Sequence, residues 1–261
     1  MSSSSTSDLF TRQSSIYASA RPTYPEGLYE ALAGMTRAHG AAWDCGCGNG
    51  QAARALAAHY ERVVATDVSP EQIAHARAHP RIDYKACGAE DAPHLAAQSV
   101  DLVVAATAIH WFDIPRFYQE ALRVLVPGGI LAVWAYSGHV VAPEVDAWTA
   151  RYASEVIGAY WRKDRLSLLT DGYTSLPAVP NAMQEVTPEL GGPWAAQQQM
   201  TLDAYKNYLR SWSASQAYLD AHGTDPLASD LLPDLDAIWG EAQATRLVSW
   251  PLFVRAFRKV P

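Results

Sequence analysis

Ala41-Ala42-Trp43-Asp44-Cys45-Gly46-Cys47-Gly48-Asn49-Gly50 decides how this chain is read. An apolar run closes on an acid and three glycines, and an alanine-rich stretch, Gln51 to Tyr60 with Leu56 on one face, follows at once. A glycine turn between strand and helix lets main-chain N–H groups approach a ligand with no Cβ in the way. The next apolar run, Arg62-Val63-Val64-Ala65-Thr66, ends in Asp67. That acid stands about twenty residues past the first glycine, where nucleotide-binding α/β units put a carboxylate against ribose hydroxyls. A dinucleotide fingerprint begun at Gly46 needs its third glycine at position 51, which is Gln51; Gly50 comes one place early. The loop announces a nucleoside and leaves open which one.

Strand and helix alternate from Trp43 to Trp134. Ser69-Pro70-Glu71-Gln72 reads as a helix start, with Ser69 as N-cap, Pro70 first in the helix and Gln72 completing a capping box; the helix is expected to run to about His79, before Pro80. Ile82 to Ala86 is expected as a short strand, and Val100 to Ala106 as a strand covered on both faces. Pro115 to Leu125 reads as helix, closed by Pro127-Gly128-Gly129, with Ile130 to Ala135 as the next buried strand. The expected fold is therefore α/β: a Rossmann-like, doubly wound, seven-stranded mixed sheet with right-handed crossovers. Past Tyr136 the rhythm stops, and residues 138–200, rich in aromatics and proline, are expected to form a lid insertion over the carboxyl edge of the sheet. Leu202 to His222 and Leu231 to Ala242 read as helices, and Leu247 to Lys259 as a last strand interrupted by Pro251. Residues 10–261 are expected to make one domain behind a disordered serine-rich lead, 1–9.

The 261 residues are 49% hydrophobic, enough for a large core, and the formal net charge is −7, which argues against a nucleic-acid partner. No apolar run reaches the roughly 20 residues that span a bilayer, and the polar start is no signal peptide. Three cysteines make no disulfide framework. Cys45 and Cys47 flank Gly46 inside the turn without further ligands at metal spacing, so no metal site is expected and a cytoplasmic location follows. The expected partner is a small molecule, with the chain a monomer or homodimer.

Further signatures keep the glycine loop company: Cys87-Gly88-Ala89-Glu90-Asp91 after the third strand, Ala108-Ile109-His110-Trp111-Phe112 after the fourth, and Leu125-Val126-Pro127-Gly128-Gly129 before the fifth. In this order they resemble the class I S-adenosylmethionine-dependent methyltransferases. Phe10, Tyr17, Ala18 and Arg21-Pro22-x-Tyr24-Pro25, Ala159-Tyr160-Trp161 and Ser211-Trp212-Ser213-Ala214 look like segments of the small-molecule subgroup that includes trans-aconitate methyltransferase.

The resemblance implies S-adenosylmethionine as cofactor. Asp44, Gly46, Gly48 and Gly50 would surround its methionine part, Asp67 its ribose hydroxyls, Val68, Ala89 and Glu90 its adenine, and Ala106 its flank. Tyr17 and Arg21 would fold over the pocket, Arg21 against the methionine carboxylate. His110 is the candidate base or substrate-positioning group, because it sits past the carboxyl end of a central strand, and Trp111 walls the site. Trp134, Tyr136, Tyr160, Trp161 and Trp212 are candidates for an aromatic substrate box around a sulfonium centre. Arg162 and Arg165 beside the lid could pair with a substrate carboxylate. The activity these residues imply is methyl transfer to a small molecule, on a carboxylate oxygen; methylation at sulfur, nitrogen or carbon, or cofactor binding without catalysis, are the alternatives.

Overall fold

The computed structural model describes residues 22–161, 163–228, 233–241 and 243–260, without the side chains of 163–166. The serine-rich lead, Tyr17, Arg21, Arg162 and the Arg165 side chain lie outside the described residues. Helix α1 spans Glu26–Met35, with strand β1 at Ala41–Cys45, helix α2 at Gln51–Leu56, β2 at Arg62–Asp67 and a short α3 at Pro70–Ala74. They are followed by β3 at Ile82–Ala86, β4 at Val100–Ala106, α4 at Ile114–Val124 and β5 at Leu125–Ala135. The sheet runs β3-β2-β1-β4-β5, all parallel, and is extended by antiparallel β8, Arg246–Lys259, and then β6, Met183–Glu185. Strand β7, Trp194–Met200, pairs with β8 as well, so the described strands number eight rather than the expected seven.

Both faces of the parallel strands are covered, which is why their sequences show no alternation. Trp43, Val103 and Leu131 pack on one face with Phe117 and Val124 of α4. Ala42, Leu102, Val104 and Ile130 pack on the other with Leu28 and Leu32 of α1 and Leu56 of α2. Helix α1 is absent from the sequence-based expectations although Leu28, Tyr29, Leu32 and Ala33, its buried stripe, keep helical spacing.

Beyond Tyr136 the chain builds a third cluster of its own. Helix α5, Pro143–Arg151, runs into a wider π turn at Tyr152–Val156, and α6 follows at Lys163–Thr170. The helix expected over 202–222 is two helices, α7 at Leu202–Arg210 and α8 at Ser213–His222. Ser211 ends the first: its Oγ donates to the Tyr208 carbonyl at 2.6 Å, and Trp212 then turns extended. Within the stretch expected as helix over 231–242, the described residues form α9 at Leu235–Trp239, and positions 231, 232 and 242 lie outside the described residues. The aromatic cluster of this lid gathers Trp148, Tyr152, Tyr205, Tyr208, Trp239 and Trp250.

Pro251 does not interrupt β8. It lies opposite Ala195 of β7, close to where β8 exchanges β7 for the main sheet: Leu252 pairs with Trp194, and Phe253 with Ala135 of β5. No helix among the described residues is long and apolar enough to cross a membrane.

Candidate functional site

Every parallel strand ends at the same edge, and the loops leaving that edge enclose a cavity of about 370 Å³. Along this edge the wall changes character. Cys87 to Glu90 follow β3, Asp67 and Val68 end β2, Gly46 to Asn49 follow β1, Ala106 to Ala108 with Trp111 and Phe112 follow β4, and Tyr136 follows β5. Carboxylates therefore sit at the β3–β2 end, aromatic rings and hydroxyls at the β4–β5 end.

The glycine loop is built as its sequence demands. Gly46 has φ +65°, and a Cβ there would stand 2.7 Å from the Ala108 Cβ, so the close approach of the β1 and β4 loops needs glycine. Gly50 has φ +83°, and a Cβ there would overlap the Tyr84 hydroxyl. Cys47 N–H donates to the Thr66 carbonyl at 2.9 Å, pinning the loop to β2.

Asp67 fixes both its neighbours: Oδ2 accepts from Gly48 N–H at 2.8 Å and Oδ1 from Ser69 N–H at 2.9 Å. Each oxygen keeps lone-pair capacity for a hydroxyl donor in the cavity. Burial pushes the Asp67 carboxyl above its ordinary range, against those two N–H bonds. Ser69 caps α3, its Oγ accepting from Gln72 N–H at 3.2 Å, but the capping box is not closed by Gln72, because Asp67 takes the Ser69 N–H instead. The helix also stops at Ala74, short of the expected His79.

Asp44 stands apart from the wall, 0% exposed, on the α1–α2 face at the end of β1. Among the described residues neither of its oxygens has a hydrogen-bond partner of good geometry. Burial pushes its carboxyl up to about 7; the Ala53 main-chain N–H draws it back only in part, and the Asp67 charge adds to the rise. A fully buried carboxylate without a partner is costly, and a cationic ligand beside it relieves that cost. Glu90 is held at the other end, Oε1 accepting from Asp113 N–H at 2.9 Å where α4 begins.

The remaining expected site residues divide into those on the wall and those away from it. Gly46, Gly48, Asp67, Val68, Ala89, Glu90, Ala106, Trp111 and Tyr136 line the cavity. Val68 is 68% exposed, open to the cavity mouth rather than packed. His110 is 5% exposed and off the wall, its Nδ1 lying 3.0 Å from the Tyr173 hydroxyl. Trp134 is fully buried among Tyr24 and Tyr29, with edge-on ring centroids at 5.6 and 6.0 Å. Tyr160, Trp161 and Trp212 belong to the lid: Trp161 and Trp212 meet at 5.7 Å, and the Tyr160 hydroxyl bonds His222 Nε2.

Sequence reasoning missed Thr107 altogether, and it gave Tyr24 no contact across the cavity. Pro22 and Tyr24 line the cavity, with Gln51 Nε2 donating to the Pro22 carbonyl at 2.9 Å and the Tyr24 and Thr107 hydroxyls 2.8 Å apart. Thr107 has φ +53°, a conformation that costs a β-branched residue about 1–3 kcal/mol, and its N–H is anchored on the Trp134 carbonyl at 2.7 Å. No one-dimensional pattern marks a pair 83 positions apart.

What the wall offers matches what S-adenosylmethionine presents. Asp67 has acceptors for two hydroxyls, the described wall carries carboxylates and no cation, and Asp44 is a buried acid lacking a counter-charge. A Cβ on Gly48 would come no nearer than 3.9 Å to Gln72, so the loop leaves open space for a ligand beside it.

Comparison with known proteins agrees. A methyltransferase-domain family model matches residues 43–133, the stretch from β1 into β5. A Dictyostelium discoideum protein assigned as a methyltransferase is 30% identical over 225 residues, covering 84% of this chain and 82% of that protein. A Saccharomyces cerevisiae protein assigned as an S-adenosylmethionine-dependent methyltransferase is 25% identical over 253 residues, with 84% and 85% covered. The solved structure of an Anaeromyxobacter dehalogenans protein assigned as a type II methyltransferase superposes with a TM-score of 0.83 at 39% identity, over 92% of this chain and 99% of that one. The cofactor that the glycine loop and Asp67 anticipate, the fold that positions them and relatives matched over most of their length lead to one family: the chain is an S-adenosylmethionine-dependent methyltransferase.

Proposed function

We propose that this methyltransferase acts on a small molecule and methylates a carboxylate oxygen, as the resemblance to the trans-aconitate methyltransferase subgroup implies. When bound, S-adenosylmethionine supplies a methyl group on a sulfonium, an electrophile that is already activated. In this reading Asp67 holds the ribose hydroxyls, Glu90 and Ala89 border the adenine, and Asp44 faces the cationic end through the glycine loop. The protein's remaining work is alignment and exclusion of water.

The observation that carries the reading is the absence of a well-placed base among the described wall residues. Burial pushes the Cys47 and Cys87 thiols up, Asp67 and Glu90 sit at the opposite end of the cavity, and His110 is turned toward Tyr173. A carboxylate is ionised at neutral pH and needs no proton removed. His110→Gln tests this: with an acid acceptor, kcat falls less than about ten-fold, whereas loss of a general base costs about 10²–10⁴-fold. The product is a methyl ester that alkali hydrolyses; an alkali-stable product refutes it.

One observation favours a second reading. The described wall bears two carboxylates and no cation, which suits a neutral or cationic acceptor such as a thioether or amine. Its product would survive alkali. A cytoplasmic location belongs to the same proposal, since small metabolites and the cofactor are found there.

A further inference from the structure

Thr107 is where a left-handed residue is required and glycine or asparagine would be at ease, yet the chain carries a threonine there. Its position is central: β4 is flanked by β1 and β5, and the Ala106-Thr107-Ala108 turn lines the cavity beside the glycine loop, Ala108 packing on Gly46. Asp67 and Glu90 lie toward β2 and β3, so the nucleoside half of the cofactor falls on that side and the acceptor on the side of Thr107, Trp111 and Tyr136. At that end the described wall offers aromatic rings and hydroxyls, with no cationic side chain.

The Tyr24 and Thr107 hydroxyls stand 2.8 Å apart, and either can be the donor. With Tyr24 as donor, Thr107 accepts and keeps its own proton to give. We propose that Thr107 is the specificity-determining residue for the methyl acceptor, its Oγ1 donating to an oxygen of the acceptor's carboxylate while Tyr24 orients it. This rests on the carboxylate reading above. It assigns to a hydroxyl the anchoring that a guanidinium would otherwise perform, in a cavity whose described wall has no cation. The unfavourable backbone is retained because the side chain is used: glycine would relax the turn but bring no donor.

The test uses the whole chain saturated with S-adenosylhomocysteine, titrated calorimetrically with a panel of mono-, di- and tricarboxylic acids. Thr107→Val keeps the shape and removes the donor, Thr107→Ser keeps the donor, and Thr107→Gly removes both. We expect Thr107→Val to bind acids about ten- to hundred-fold more weakly, the worth of one hydrogen bond to a charged group. Thr107→Ser should stay within about three-fold of the unsubstituted chain, and S-adenosylhomocysteine affinity should be unchanged in all three variants. Thr107→Gly should lose acid affinity while its unfolding midpoint rises, a divergence that a purely structural role does not produce. Equal acid binding by Thr107→Val and the unsubstituted chain overturns the assignment and leaves the carboxylate reading standing. No acid bound by the unsubstituted complex overturns the carboxylate reading, and this inference with it.

Discussion

Replacing Asp44 by asparagine should change how stability depends on pH, and the size of the change follows from burial. The carboxyl is 0% exposed and unpartnered, and its pKa moves from 3.8 in the open chain to about 7 in the fold. A raised acid binds its proton more tightly when folded, so the folded state keeps a proton that the unfolded state has lost between about pH 4 and pH 7. Stability therefore falls as pH rises through that window, by about 1.4 kcal/mol per unit, to a deficit of roughly 4 kcal/mol above it. The neighbours facing Asp44 are Tyr29 from α1, Cys45 at the end of β1, Cys47 from the loop, Tyr84 from β3 and Asp67 from β2. Burial and the nearby Asp44 charge keep both tyrosines and both thiols neutral through this window, so only Asp67 can couple to the titration. The amide in the Asp44→Asn variant cannot ionise, so the stability difference between variant and unsubstituted chain should climb by about 2–3 kcal/mol from pH 5 to pH 7. Urea denaturation of both proteins without cofactor, at four pH values from 5 to 8, measures it, and titrations elsewhere cancel in the difference. A difference constant to within about 0.5 kcal/mol across that range would refute the assignment of a neutral Asp44 in the free protein.

Two further outcomes are expected. Asp67→Asn removes a charged acceptor from the cavity and should weaken S-adenosylhomocysteine binding about ten- to hundred-fold by calorimetry; undiminished affinity would remove Asp67 from the cofactor site. Gly50→Ala forces a Cβ onto the Tyr84 hydroxyl at a φ of +83° and should cost about 1–3 kcal/mol in chemical denaturation, partly recovered in a Gly50→Ala, Tyr84→Ala double variant; an unshifted midpoint would contradict the packing.

The backbone of the glycine loop and the place of Asp67 were legible because both are set locally. Gly46, Gly48 and Gly50 all adopt positive φ, and Asp67 lies at the end of the second strand, as a short stretch of sequence can announce. The β4–β5 end of the cavity was not. Trp134 and Tyr136 lie two apart along the chain and read alike, but Trp134 is sealed by Tyr24 and Tyr29 while Tyr136 reaches the cavity. Residues two apart point to the same side of a strand, so alternation cannot tell them apart; Trp134 lies within β5 and Tyr136 past its end. His110 shows the same limit: its place past β4 was foreseen, but its orientation is set by Tyr173, 63 residues on. The lid aromatics proved to pack on one another, a choice between lid core and cavity wall that composition cannot make.

The fourteen residues of β8 are paired with β5, β6 and β7 alike. All three partners leave the ribosome before it does. Until β8 emerges, β5 offers an unpaired edge made of Ile130, Leu131, Ala132, Val133 and Trp134, every one of them fully buried in the finished protein. Such an edge is a template for pairing with another chain. The late arrival of a single strand thus sets the interval during which the nascent protein is most exposed to aggregation. In a cell, that interval is governed by the rate at which residues 136–259 are translated.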